Sequence, residues 1–199
     1  MILQNLIIQL KKLSRQANNV LLYASNRKDK QVYVKELKSF YKLTSEELDT
    51  CLIELASINI IDKEDTLLIV PLVKRIEKDN DILTIDINKY LLTLLQDHNS
   101  NMRDFIDMKK QDKNTCLLFA LLVENDALLN NGGLTLSLIS LKDKLQVTGK
   151  YTVLKDLQKN LISKPIRMIN TKFNQDIYKY EYQYNSLSQI TGVIFKRQG

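Results

Sequence analysis

The stretch "YTVLKDLQKNLISKPIRMIN", Tyr151 to Asn170, keeps leucines on one side and lysines on the other. Leu154, Leu157 and Leu161 recur at helical spacing, and the face they share belongs in a core. The opposite face presents Thr152, Lys155 and Lys159, with Thr148 and Ser163 beside them. Lys150 and Tyr151 stand at the expected helix start, where unpaired backbone N–H groups also favour a phosphate. A merely solvated surface helix has the same outline. The flanking segments, and the distribution of charge over the rest of the chain, decide between the two.

The charge is unevenly placed. Residues 1–99 carry 14 basic and 14 acidic side chains, and residues 100–199 carry 15 and 9, so the whole net charge of +6 lies in the second half. From Leu138 to Lys172 eight basic residues face only Asp143 and Asp156. A basic surface concentrated in one half points to an anionic partner, although charge alone does not separate nucleic acid from a membrane surface or an acidic protein.

The flanks repeat one layout. The first half opens with a helix from about Leu3 to Ser25, followed by the strand "QVYV" at 31–34 and a helix through Leu37 and Phe40. "TSEE", Thr44 to Glu47, is a capping box that starts a third helix through Leu48, Leu52 and Leu55. "TLLIVPLVKRI" at 66–76 and "ILTIDI" at 82–87 read as an antiparallel pair across the polar turn "EKDND". In the second half a helix is expected from Met102 to Glu124, a break at "NNGG" (130–133), a strand at 134–136 and a helix from Ser140 to Leu145. The opening stretch follows, and then the strands "IYKYEYQY" (177–184) and "GVIFKR" (192–197). Helix, strand, helix, helix and hairpin make a winged helix, whose third helix enters the major groove in helix-turn-helix relatives. The fold expected is therefore α+β: two tandem winged-helix domains, residues 1–98 and 99–199, joined by a helical connector in "INKYLLTLLQDHNSN" (87–101).

The two third helices differ. The first exposes Glu46, Glu47, Asp49 and Glu54, with no Lys or Arg between Leu43 and Ile61, a face that a duplex would repel. DNA binding is therefore expected of the second domain, through Thr148, Lys150, Tyr151, Thr152, Lys155 and Lys159, with Lys172. Lys179, Lys196 and Arg197 on the wing would add phosphate contacts, which position without specifying sequence. The first domain has another expected task. "LLIVPLV" (67–73) is apolar at every position, and Pro71 belongs at an edge or bulge, so Leu68, Val70 and Leu72 are expected at a homodimer interface. Cover by the connector helix within one chain is the competing arrangement.

Several classes are excluded. The chain has no phosphate-binding glycine loop, no paired-cysteine zinc pattern and one histidine, His98, so no two-histidine metal site of the rolling-circle nicking type exists. The tyrosines of "YKYEYQY" read as strand residues. No catalytic residue, metal, cofactor or small-molecule substrate is expected, and the protein reads as a binder. Cys51 and Cys116 read as small buried hydrophobes of a reducing cytoplasm. "MILQNLIIQLKK" places its apolar residues before its charges, unlike a secretory signal, and is too short to span a bilayer.

The run "LQKNLISKPIRMINTKFNQDIYKYEYQ" (157–183), followed by "TGVIFKR" (191–197), resembles the C-terminal domain of iteron-binding, theta-type plasmid replication initiators. In that family the third helix typically reads "LKKNVI-x-P-A-I-x-x-IN", the next strand carries "VEYE" and the last "VxGIRF". "LTIDINKYLLTLLQ" (83–96) and "LSRQANNVLLYAS" (13–25) resemble the family's connector and opening helix. Here Lys164 stands at the family proline and Pro165 one place later. The resemblance implies binding to directly repeated origin sites, repression of the protein's own promoter by dimers, and recruitment of host replication proteins by monomers. A winged-helix transcriptional regulator is the alternative, and a non-catalytic scaffold of the segregation-and-condensation type a further one, which the basic pI of 9.1 disfavours.

Overall fold

The computed structural model describes residues 2–27, 31–62, 68–98 and 100–198. Its two compact units divide between Lys109 and Lys110, later in the chain than the expected boundary after residue 98.

The first unit begins with α1 (Ile2–Leu10), in which Leu3, Leu6, Ile7 and Leu10 are completely buried. The single helix expected from Leu3 to Ser25 is in fact two, because the chain turns before α2 (Arg15–Ser25). Ser14 supplies the break. Its Oγ accepts from the Ala17 N–H at 3.1 Å, and Asn18 Nδ2 donates to the carbonyls of Leu13 and Ser14 at 3.1 and 2.6 Å. The backbone groups that a helix end exposes are thus satisfied locally.

β1 (Gln31–Tyr33), α3 (Val34–Tyr41) and α4 (Ser45–Ala56) follow. The expected capping box starts α4: the Glu47 N–H donates to Thr44 Oγ1 at 3.1 Å, and the Thr44 N–H donates to the Glu47 carboxylate at 2.8 Å. Next come β2 (Asn59–Asp62), β3 (Leu68–Pro71), β4 (Val73–Asp79) and β5 (Ile82–Ile87). The antiparallel sheet has the order β1-β5-β4, with buried Val32 opposite buried Leu83.

The strand expected over 66–76 is divided, and its Thr66 and Leu67 lie outside the described residues. β4 pairs with β5 as expected, but β3 pairs with β2, with Val70 opposite Ile60. Leu72 is the joint. Its N–H donates to the Ile58 carbonyl at 2.9 Å, and its own carbonyl accepts from the Asn88 N–H at 3.0 Å. This corrects the expected dimer interface. Val70 (6% exposed) and Leu72 (0%) are enclosed by their own unit, and only Leu68, with Ile69 beside it, is exposed.

The connector forms α5 (Lys89–Asp97), whose first turn is capped by Asn88 Oδ1 accepting from the Tyr90 N–H at 3.1 Å. Asn99, in its expected polar end, lies outside the described residues. α6 (Met102–Met108) packs back on α1 and α2, and Lys109 Nζ donates to the carbonyls of Leu10 and Leu13 at 3.0 and 3.1 Å. Those contacts carry the first unit past residue 98.

The second unit consists of α7 (Lys113–Glu124), α8 (Asp126–Asn130), β6 (Leu134–Ser137), α9 (Leu138–Lys144), a third helix in several segments, β7 (Tyr178–Tyr184) and β8 (Ile190–Arg197). The helix expected from Met102 to Glu124 is split because Asp112 caps α7, its Oδ1 accepting from the Thr115 N–H at 3.1 Å. Every residue of α7 from Thr115 to Val123 is buried, as befits the central helix of a small unit. The sheet order is β6-β8-β7. Gly133 opens β6 at φ +119°, where a Cβ would lie 2.7 Å from Ile194 Cγ2 and 2.8 Å from the Phe195 carbonyl, so only glycine fits.

Each unit therefore runs helix, strand, helix, helix, hairpin, and each sheet places its last strand between the first strand and the hairpin partner. The fold is α+β, two winged helices in tandem, with the β2–β3 ribbon inserted before the wing of the first. Among the described residues, no helix is long and apolar enough to cross a membrane.

Candidate nucleic-acid interface

The third helix of the second unit starts later than its leucine spacing suggests. Tyr151 has a left-handed backbone (φ +54°), and helix begins with α10 (Leu154–Leu157). Lys150, Tyr151 and Thr152 thus lie in the preceding loop, where Thr148, Lys150 and Thr152 are exposed. Leu157 and Leu161 are buried as expected, but Leu154 is 40% exposed. Tyr151 is half-buried, and its hydroxyl accepts from Asn114 Nδ2 at 2.9 Å, so it is engaged with its own unit.

After α10 the helix widens into a π-helical turn (Gln158–Ser163) and continues as α11 (Lys164–Phe173). Pro165 accounts for the change, since it has no N–H to give and its ring clashes with the carbonyl four residues back. The Lys164 N–H accordingly donates to Lys159, five residues back. One extra residue is absorbed, and this alters which side chains share a face. At about 100° per residue, Lys159 and Arg167 would stand roughly 80° apart around an unbroken α-helix. With one residue absorbed they come within about 20° of each other, and so do Lys155 and Arg167. Lys155, Lys159, Arg167 and Thr171 are all exposed, while Leu157, Leu161 and Ile169 are buried on the other side. Arg167 and Thr171 were not expected at the site, because ideal periodicity carries them off the lysine face. Pro165 inside a helical pattern was the available signal.

The basic side chains divide into two groups. Lys150, Lys155, Lys159 and Arg167 have no carboxylate partner among the described residues. Arg167 borders a groove of ≈ 500 Å³ between α11 and β7, together with Ser163, Asn170, Thr171 and Tyr180. Asn170 ties the two walls together, its Nδ2 donating to the Tyr178 carbonyl at 2.8 Å and its Oδ1 accepting from the Tyr178 N–H at 3.0 Å. The wing is otherwise. Arg197 pairs with Asp126, a carboxylate only 5% exposed that also accepts from Asn130 Nδ2 at 3.1 Å. Lys196 pairs with Glu181 at 2.6 Å, and that hydrogen bond holds the Glu181 carboxyl below its ordinary range. Lys179 is exposed opposite Lys196, and Lys172 is half-buried in the last turn of α11. Of the expected wing contacts, Lys196 and Arg197 are thus engaged within the unit.

Tyr178, Tyr180, Tyr182 and Tyr184 share one face of β7, passing from buried to exposed toward the wing tip. The Tyr180 and Tyr182 rings meet edge to face, 5.4 Å between centroids. Burial, with Tyr180 adjacent, pushes the Tyr182 hydroxyl up to about 12, so it stays protonated.

The counterpart helix α4 exposes Glu46, Glu47 and Asp49, and half-buried Glu54 accepts from the Ser14 N–H at 2.8 Å. Asp49 pairs with Lys78 at 3.0 Å. Among the described residues there is no group of three or more His, Cys, Asp and Glu placed to hold a metal ion.

A helix and wing of this geometry are the parts with which winged-helix proteins approach duplex DNA. No protein-family model matches the chain, and no curated protein matches it. Among solved structures it is similar to a Pi initiator protein crystallised in complex with iteron DNA, at 13% identity and a TM-score of 0.54. The likeness covers 96% of this chain and 93% of that one. The two share a fold over nearly their whole lengths.

Proposed function

We propose that this protein is a sequence-specific DNA-binding replication initiator of the plasmid type, binding repeated origin sites and regulating its own promoter. The carrying observation is the line Lys155, Lys159, Arg167 and Thr171 on the second unit's third helix, where the three cations have no carboxylate partner among the described residues. Lys150, Thr148 and Thr152 flank it from the loop, and Lys179 approaches from the wing. The fold of a Pi initiator protein whose crystal structure includes iteron DNA supports the same reading. Its action is binding, carried out in the cytoplasm without catalytic residue, cofactor or metal. The first unit, with its acidic α4, serves self-association and contact with host replication proteins.

The cations fix the expected salt response. If about five phosphates are neutralised, log K falls with a slope of about −4 to −5 against log salt. Binding of a duplex selected from a random-sequence pool, measured across a salt series, checks this, and a slope near zero defeats the DNA reading. An initiator differs from a simple repressor in having tandem repeats of about two helical turns beside its gene.

A further inference from the structure

The π-helical turn leaves one backbone group that the helix itself cannot satisfy. The Asn160 carbonyl would take the Lys164 N–H in an α-helix, but that N–H donates to Lys159 instead. In a continued π-turn it would take the N–H of residue 165, and Pro165 has none. Both donors are gone. Asn114 Nδ2, from the first turn of α7, fills the gap by donating to the Asn160 carbonyl at 3.3 Å. The same nitrogen donates to the Tyr151 hydroxyl at 2.9 Å, so its two hydrogens hold the loop before the third helix and the widened turn within it. Beside it, Asp112 reaches Lys164 Nζ at 3.4 Å. The start of α7 thus grips the third helix where its rotation changes.

We propose that Asn114 is a positioning residue for DNA reading: it stabilises the Pro165 π-turn and so fixes the rotation that sets Lys155 and Lys159 in line with Arg167 and Thr171. This rests on the DNA-binding reading of that line. Asn114 is half-buried and acts only through Asn160 and Tyr151. Without it, the Asn160 carbonyl lacks a partner, and the helix on either side of the turn can settle at other rotations. The lysines remain on the surface in all of these. Affinity for DNA in general therefore survives, while discrimination between sequences falls.

The test is a double-mutant cycle on the full chain with Asn114→Ala, Pro165→Ala and both together. Tyr151→Phe accounts separately for the hydroxyl contact. The DNA probes are a duplex selected from a random pool by the wild-type protein and a scrambled duplex of the same length. Asn114→Ala is expected to lower the melting temperature by about 4–8 °C and to cut discrimination about tenfold, with the salt slope unchanged. In the Pro165→Ala background residue 165 again has an N–H to give, so Asn114→Ala should cost little in either measurement. Equal losses in both backgrounds overturn the proposal. Should Pro165→Ala fail to fold, Asn114→Asp decides, because it keeps the size but has no donor and must lose at least as much discrimination and stability as Asn114→Ala. Wild-type discrimination and melting in the Asn114→Asp variant overturn the proposal too. If the wild type selects no duplex, the DNA reading fails, and the melting comparison alone still judges the clamp.

Discussion

The third helices of the two units hold the same place in the same order of elements, yet carry opposite chemistry. Helix α4 is an unbroken 12-residue α-helix, firmly capped, with Glu46, Glu47 and Asp49 outward. Its counterpart begins without a side-chain cap, widens at a π-turn and presents Lys155, Lys159 and Arg167. The buried faces are alike: Leu48, Leu52 and Leu55 in one, Leu157, Leu161 and Ile169 in the other. A core constrains only the inner half of a helix, so a repeated fold is free to diverge on the outer half. The irregular helix is the one with the exposed basic face, and π-turns are frequent at functional sites.

The largest expected effect tests whether every cation near that face belongs to it. Arg197→Ala removes the arginine that pairs with the Asp126 carboxylate, which is only 5% exposed, and breaking a buried pair from one side costs about 3–5 kcal/mol of stability. Thermal or denaturant unfolding measures it. If stability is kept and DNA affinity falls instead, Arg197 contacts phosphate and the division drawn between wing and helix is wrong.

Next come the lysines themselves. Lys155→Ala and Lys159→Ala should each weaken binding by roughly 1–3 kcal/mol if they contact bases. Their melting temperatures should stay at the wild-type value, because both side chains are exposed opposite the leucine face. Glu46→Ala in α4 should leave DNA affinity unchanged. Equal responses from both helices would remove the contrast between the units.

A smaller effect concerns the cap of α7, beside the third helix of the second unit. Burial works to raise the Asp112 carboxyl, but hydrogen bonds from the Thr115 N–H and hydroxyl, with the Lys164 charge, outweigh it and hold it below the ordinary range. Because the folded value is lowered, the stabilisation is complete above the unfolded value of about 3.9 and is lost as pH falls through the folded one. Asp112→Ala should cost about 1 kcal/mol at neutral pH. Asp112→Asn keeps a capping side chain without the charge, so its stability should fall less steeply below about pH 4 than that of the wild type. Melting curves over a pH series provide the check, and parallel acid losses in the two proteins would reject it.

Most of this architecture was legible from periodicity, because apolar residues at 3.6 and at 2 report core faces directly. The Thr44 capping box could be read outright. What escaped was local and polar. Ser14 and Asp112 each end one helical run and start another, although the leucine spacing passes straight through both. β2 escaped because "NIID" offers only four residues, and its partner looked like part of a longer strand. The lysines of the candidate face, Lys155 and Lys159, stand out in the sequence, but Arg167 does not join them there, since one proline shifts every residue beyond it by about 100° around the axis. The burial of Val70 and Leu72 was obscured because a wholly apolar run does not say which of its residues point inward.

That correction sharpens the last contrast, between the unit proposed to read DNA and the unit proposed to meet its own copy. Strand β3 has β2 on one side, and its sheet contains no third strand among the described residues; on its other side Asn88 Nδ2 donates to the Pro71 carbonyl at 3.1 Å, which leaves the Leu68–Ile69 end for pairing. Leu68 and Ile69 are 41% and 55% exposed on it. Two copies joined edge to edge across a twofold axis would pair these strands and cover both side chains, the commonest symmetry for such contacts. Leu68→Glu and Ile69→Glu should therefore shift a dimer to monomer in sedimentation, while changing the unfolding free energy of the isolated chain by no more than about 0.5 kcal/mol. Val70→Glu behaves differently, because it places a charge in the unit's own core opposite Ile60 and should unfold it. If the wild type sediments as a monomer at high micromolar concentration, the open edge is not an interface. If Leu68→Glu unfolds the chain as Val70→Glu does, the exposed pair belongs to the core, and no surface then separates the first unit from the second except the sign of its charge.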